Sequence, residues 1–201
     1  MNIFDEIKDA MFRRRLRTAA TKVVDYLHDA NTEVILLAGT SSQPSFSLVA
    51  EAWRRRYPNK PLPQPLPVTS AKEKDVKGKR VALFDELTVS GGSLRDAYRR
   101  ITPLGALDCR MVALLEKSQL SINSTNPLVG AIDHSRNLGT KLSLNARRYI
   151  REAELDRKKA VDKAEKTRFR ESAKYWAREV REKRAELREI ASSIKPRKLK
   201  G

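Results

Sequence analysis

The stretch Val81-Ala-Leu-Phe-Asp85-Glu86-Leu-Thr-Val-Ser90-Gly91-Gly92-Ser93 constrains the fold of this chain more than any other. Its four leading apolar residues, Val81–Phe84, suit a strand buried on both faces. Asp85 and Glu86 then set two carboxylates at the carboxyl end of that strand, the rim where α/β sheets bind ligands. A pair of acids there accepts hydrogen bonds well from vicinal ribose hydroxyls and favours a developing positive charge. Ser90-Gly91-Gly92-Ser93 opens a helix whose free N–H groups, small hydroxyls and positive end suit a phosphate dianion. Glycine lets the backbone approach such a ligand without a Cβ in the way.

The flanking sequence predicts the rest of an α/β unit. Apolar positions Ile3, Phe4, Ile7, Met11, Leu16, Ala20, Val23, Val24 and Leu27 lay one stripe along a helix over 3–29. Glu33–Ala38 reads as a buried strand, followed by a loop and a helix over 45–56 that Pro58 ends. Pro61, Pro63, Pro65 and Pro67 alternate, so that segment is extended, as polyproline II or an edge strand. A charged loop over 72–79 leads to a strand at Arg80–Phe84, a helix over 94–101, a strand at Cys109–Leu115 and a weak strand at Leu128–Ile132. Strand, turn, helix, strand is the grammar of a parallel sheet.

The stretch from Val81 to Ser93 resembles the phosphoribosyl pyrophosphate signature of the type I phosphoribosyltransferases: apolar strand, two acids, three variable residues, then a small-Gly-Gly-Ser/Thr loop. Val76-Lys-Gly-Lys-Arg80 looks like the usual lead-in. The resemblance implies an α/β fold with a Rossmann-like parallel sheet. It implies that Asp85 and Glu86 hold the ribose hydroxyls as the catalytic pair, and that Thr88, Ser90, Gly91, Gly92 and Ser93 wrap the 5-phosphate. In that family a loop after the first core strand binds pyrophosphate through backbone N–H groups. Gly39, Thr40, Ser41 and Ser42 occupy that place, without the common Arg-Gly-Gly form; an ordinary strand-to-helix loop with a Ser cap is the alternative.

Other positions bear on the acceptor. Val89 stands where purine-type members carry an Asp for the base nitrogen proton, and valine does no proton chemistry. Lys117 ends a strand where purine-type enzymes often place a Lys that reaches the base carbonyl; with Val129 it is a candidate base-binding position. The acceptor hood is short, at best 126–145, and only 68–77, with Lys72 and Lys74, stands where a mobile catalytic loop belongs. The resemblance implies Mg²⁺ as cofactor, carried mainly by substrate oxygens, with no direct protein ligand expected.

Composition sets bounds. A lone cysteine, Cys109, excludes an intrachain disulfide, and two histidines, His28 and His134, give no zinc spacing. No apolar run approaches the ~20 residues needed to cross a bilayer. The opening Met-Asn-Ile-Phe-Asp-Glu is acidic where a signal peptide is basic, so a cytoplasmic protein with no membrane partner is expected.

Net charge is +17, and Arg147–Gly201 holds 20 basic and 10 acidic residues. Two units are expected: a phosphoribosyltransferase-like α/β domain over 1–145 and a long, basic C-terminal helical arm over 146–201. With no Gly or Pro before Pro196, one helix of about 48 residues and about 70 Å is predicted. Phe169, Ala173, Trp176, Val180, Lys183, Leu187, Ile190 and Ile194 form a heptad seam along it, one Lys included. That seam fits an arm folded on its own domain or a homodimer, while the charge fits a solvated helix or nucleic-acid contact, with Arg13–Arg15 and Arg54–Arg56 at its border.

The expected function is that of a phosphoribosyltransferase, with phosphoribosyl pyrophosphate or a nucleotide as ligand and a nitrogenous base as acceptor. The alternative is a non-catalytic sensor of such ligands, or a nucleic-acid-associated regulator, on the same fold.

Overall fold

Short apolar runs between polar turns become the strands of one sheet. The computed structural model describes residues 10–39, 42–88, 91–117, 128–133, 146–160 and 162–197. The strands are β1 (Val34–Leu37), β2 (Gln64–Pro67), β3 (Arg80–Thr88), β4 (Asp108–Lys117) and β5 (Leu128–Asp133). All pair in parallel, in the order β2-β1-β3-β4-β5. The alternating prolines thus form an edge strand, with Pro65 opposite Ile35 and Pro67 opposite Leu37. Only an edge tolerates the missing N–H donors.

Helices cover both faces. On one lie α1 (Ala10–Asp29) and α2 (Ser42–Arg56); on the other lie α4 (Gly92–Ile101) and the single turn α3 (Glu73–Val76). Strand alternation sends Ala82 and Phe84 into a core with Leu16, Val23, Leu48 and Val49, and sends Val81 and Leu83 into a second with Val76, Leu94 and Ile101. Residues 3–9 of the predicted first helix lie outside the described residues. The 68–77 segment is packed: Val68, Ala71 and Val76 are buried, Arg100 donates to the Thr69 carbonyl at 3.1 Å, and Lys72 and Lys74 face solvent.

The C-terminal segment is not one helix. It forms α5 (Ala146–Lys159) and α6 (Lys163–Ser192), packed against each other. Asp162 breaks the run by capping α6, its carboxylate accepting from the Glu165 N–H at 2.8 Å. A capping acid three residues before a glutamate starts a new helix without glycine or proline. The seam folds onto its own chain. Leu187, Ile190, Ala191 and Ile194 join the core of α1 and α2, while Phe169, Ala173, Trp176 and Val180 are half-buried.

The predicted basic clusters are partly spent on this docking. Arg13 pairs with Glu189 at 2.7 Å, Arg55 donates to the Ser192 carbonyl at 3.0 Å, and Arg56 donates to that of Lys195 at 3.2 Å. Cations at a helix C-terminus also offset its dipole. Arg56 grips Asp25 through two hydrogen bonds of 2.8 and 2.7 Å, and Arg197 donates to Asp29 and Tyr57, both at 2.8 Å.

Candidate functional site

The order of the strands places a switch point between β1 and β3, where successive connections leave the sheet in opposite directions. Crevices at the carboxyl ends of such strands bind ligands. The chain brings Asp85 and Glu86 of β3 there, with Gly39 after β1 and Ser42 at the start of α2.

Both acids lie deeper than their sequence position implies. The strand runs past Phe84 to Thr88, because β4 offers partners further along: Asp85 lies opposite Ala113, Leu87 opposite Leu115 and Thr88 opposite Glu116. Asp85 keeps 7% of its surface exposed and Glu86 only 3%. Ser42, which opens α2 three residues before the predicted start, donates from Oγ to Asp85 Oδ1 at 3.1 Å. The same Oγ accepts from the Gly39 N–H at 3.3 Å, and the Glu86 N–H donates to Asp85 Oδ1 at 3.0 Å. Burial, then hydrogen bonding and charge from the neighbouring Glu86 carboxyl, push Asp85 up to about 8. Two adjacent buried carboxyls resist carrying two negative charges, so the pair takes up a proton more readily than two free carboxylates do. Glu86 Oε2 and Ser45 Oγ are buried with no hydrogen-bond partner.

Gly91 precedes α4 with φ 70° and ψ 8°, a left-handed conformation that disfavours any side chain. It is buried, Gly92 is half-buried and Ser93 is exposed. Ser90, Val89, Thr40 and Ser41 lie outside the described residues. Thr88 and Lys117 are the last residues of β3 and β4, and Val129 lies opposite Ala113, in the row of Asp85. Of the hood, only 128–133 is described. Cys109 is half-buried at the start of β4, and burial followed by the Asp108 charge push its thiol up to about 11. His28 stacks on Tyr57 with ring centroids 4.0 Å apart.

One buried charge was legible in the sequence only as an anomaly. Lys183 is the charged member of the heptad seam, and it is 1% exposed on the face of α6 that packs on the domain. Burial pushes its ammonium down to about 8, against the opposing pull of the Glu86 and Glu186 carboxylates. Among the described residues no three His, Cys, Asp or Glu side chains group to hold a metal ion, and no helix is long and apolar enough to cross a membrane.

No family model and no curated protein sequence matches the chain. Among solved structures it is similar to a hypoxanthine-guanine phosphoribosyltransferase from Schistosoma mansoni in complex with IMP, with 18% identity and a TM-score of 0.48. That match covers 62% of this chain and 65% of the other, less than two thirds of its length. A hypoxanthine phosphoribosyltransferase from Trypanosoma cruzi, in complex with the product IMP, matches with 15% identity over 60% of this chain and 71% of its own, TM-score 0.46. A purine phosphoribosyltransferase from Pyrococcus horikoshii matches with 16% identity over 60% and 84%, TM-score 0.43. All three are phosphoribosyltransferases, the family that the turn from β3 to α4 resembles in sequence.

Proposed function

We propose that the chain binds a ribose 5-phosphate ligand, phosphoribosyl pyrophosphate or a nucleotide, at the carboxyl ends of β1 and β3, and acts in the cytoplasm as a phosphoribosyltransferase. The observation that carries this reading is Glu86 Oε2: a buried acceptor without a donor, beside Asp85, at the switch point and just before the glycine turn into α4. A buried acceptor left unmatched costs about 1–3 kcal/mol, and a ribose hydroxyl supplies the missing donor. The 5-phosphate would sit on the N-terminus of α4, formed by Gly91, Gly92 and Ser93.

In the transfer, the bond from the anomeric carbon to the pyrophosphate oxygen breaks as a bond to the base nitrogen forms. The nitrogen's proton leaves with the pyrophosphate. The charge of the acid pair stabilises the oxocarbenium character between the two events. A hydrated Mg²⁺ brought in by ligand oxygens would neutralise the departing pyrophosphate.

A second reading, ligand sensing without transfer, is favoured by the raised Asp85 carboxyl and by the valine at position 89, which does no proton chemistry. Calorimetric titration with Mg²⁺–phosphoribosyl pyrophosphate, on the wild type and Glu86→Ala, tests the site. Removing a charged acceptor is expected to weaken binding about 10- to 100-fold. A well-folded wild type that shows no binding rejects both readings. Binding without pyrophosphate release, across a panel of bases, selects the sensor.

A further inference from the structure

The buried charges among the described residues lie on β3 and on α6. Asp85, Glu86, Glu179 and Lys183 are 7%, 3%, 6% and 1% exposed. Glu86 Oε2 on β3 and Glu179 Oε2 on α6 are buried without a hydrogen-bond partner. Desolvated charges are retained only where they compensate one another.

Two periodicities bring Lys183 and Glu86 to one place. In α6, Lys183 lies one turn before Leu187 and two before Ile190, and both of these pack in the core that holds Ala82 and Phe84 of β3. In β3, Glu86 follows Phe84 by two residues and so shares its face. The end of α6 docks at the end of α2, where Arg55 holds the Ser192 carbonyl, so stepping back from Leu187 to Lys183 leads toward the carboxyl rim. Stepping forward from Phe84 to Glu86 leads to the same rim. The charge relation agrees, since Glu86 is the first carboxylate that favours the Lys183 ammonium, ahead of Glu186.

We propose that Lys183 is a positioning residue for the ribose-phosphate site: the buried counter-charge that holds the Glu86 carboxyl in place as an acceptor for a ribose hydroxyl. The C-terminal helix is then a wall of the site rather than an appendage. This inference rests on the ribose-phosphate reading above. Without the ammonium, the Glu86 carboxyl is buried with no opposite charge beside it, and nothing holds it in place to accept from a hydroxyl. With it, Oε2 stays fixed at the rim and open to the ligand.

The full-length wild type, Lys183→Met, Glu86→Gln and the double variant are compared by thermal unfolding and by titration with Mg²⁺–phosphoribosyl pyrophosphate. Lys183→Met is expected to lower the thermal midpoint by about 10 °C, as breaking one partner of a buried pair does. Adding Glu86→Gln should restore most of that loss, because the uncompensated carboxylate is gone. Ligand affinity should fall at least tenfold in Lys183→Met and stay low in the double variant. Additive midpoint shifts would overturn the pairing. Unchanged affinity in Lys183→Met, with the wild type binding well, would overturn the positioning role alone. A wild type that binds no ligand would instead overturn the ribose-phosphate reading, and this inference with it.

Discussion

Ser42 Oγ donates to Asp85 Oδ1 at 3.1 Å, tying the first turn of α2 to the carboxyl end of β3 across the switch point of the sheet. The hydroxyl that a pyrophosphate loop would present is thus already engaged with the acid pair.

The raised Asp85 carboxyl predicts a thermodynamic signature. Its folded value, about 8, lies above the ordinary carboxylate value of 3.8. Its contribution to stability is fully present below the unfolded value and is lost as pH rises through the folded one. Asp85→Asn mimics the protonated acid and keeps Oδ1 as acceptor. It is expected to raise the thermal midpoint at pH 8 and to flatten its decline between about pH 4 and 8. Unfolding curves at fixed ionic strength across that range check it, and a pH profile unchanged by the substitution would refute the assignment.

Gly91 is the position in the phosphate turn where backbone conformation decides. Gly91→Ala places a side chain at φ 70°, at a cost of about 1–2 kcal/mol. The N–H groups opening α4 shift with it. Affinity for a 5-phosphate ligand is expected to fall more than tenfold, measured by titration, while the fold survives.

The apolar end of α6 belongs to the domain core. Leu187→Ala is expected to cost about 3 kcal/mol, the range for a fully buried leucine, read from denaturant midpoints. Truncation after Asn145 removes Leu187, Ile190, Ala191 and Ile194 together and should abolish cooperative unfolding. A soluble, cooperatively folding 1–145 fragment would show that the arm is dispensable.

Asp25 anchors the tail. Burial alone would raise its carboxyl, but hydrogen bonds from Arg56 and Tyr57 and the charges of Arg56 and Arg197 hold it below the usual range. Its stabilisation is present above the unfolded value and lost as pH falls through the folded one. Asp25→Ala is expected to cost about 2 kcal/mol at pH 7, with the deficit shrinking in acid. Paired midpoints at pH 7 and pH 3 measure this.

Cys109 offers a probe of local opening. With its thiol pushed up to about 11, it is expected to react with a disulfide reagent at pH 8 far more slowly than in the unfolded chain. The rate, followed by absorbance, should rise only as β4 frays.

The strands were readable because Val34–Leu37, Val81–Phe84 and Val112–Leu115 are apolar runs that only a buried sheet accommodates. The glycine turn was readable because glycine takes a left-handed backbone, as Gly91 does before α4, without strain. The depth of the acids was hidden, since charged residues read as a strand's end until the partner strand supplies a ladder, as Ala113 does for Asp85. The break at Asp162 carried its signal in Glu165, which the search for glycine and proline passed over. Lys183 stood out in an apolar seam, but its reason lies in Glu86, nearly a hundred residues away in sequence and visible only after folding.

The prolines of β2 have a consequence for assembly. A strand paired on one side turns alternate N–H groups outward, and Pro65 and Pro67 occupy alternate positions. That margin has few donors to offer an incoming strand, so the sheet is sealed against growth there by its own sequence. Accretion of copies edge to edge, the usual hazard of an exposed parallel strand, is opposed at this side by the prolines themselves.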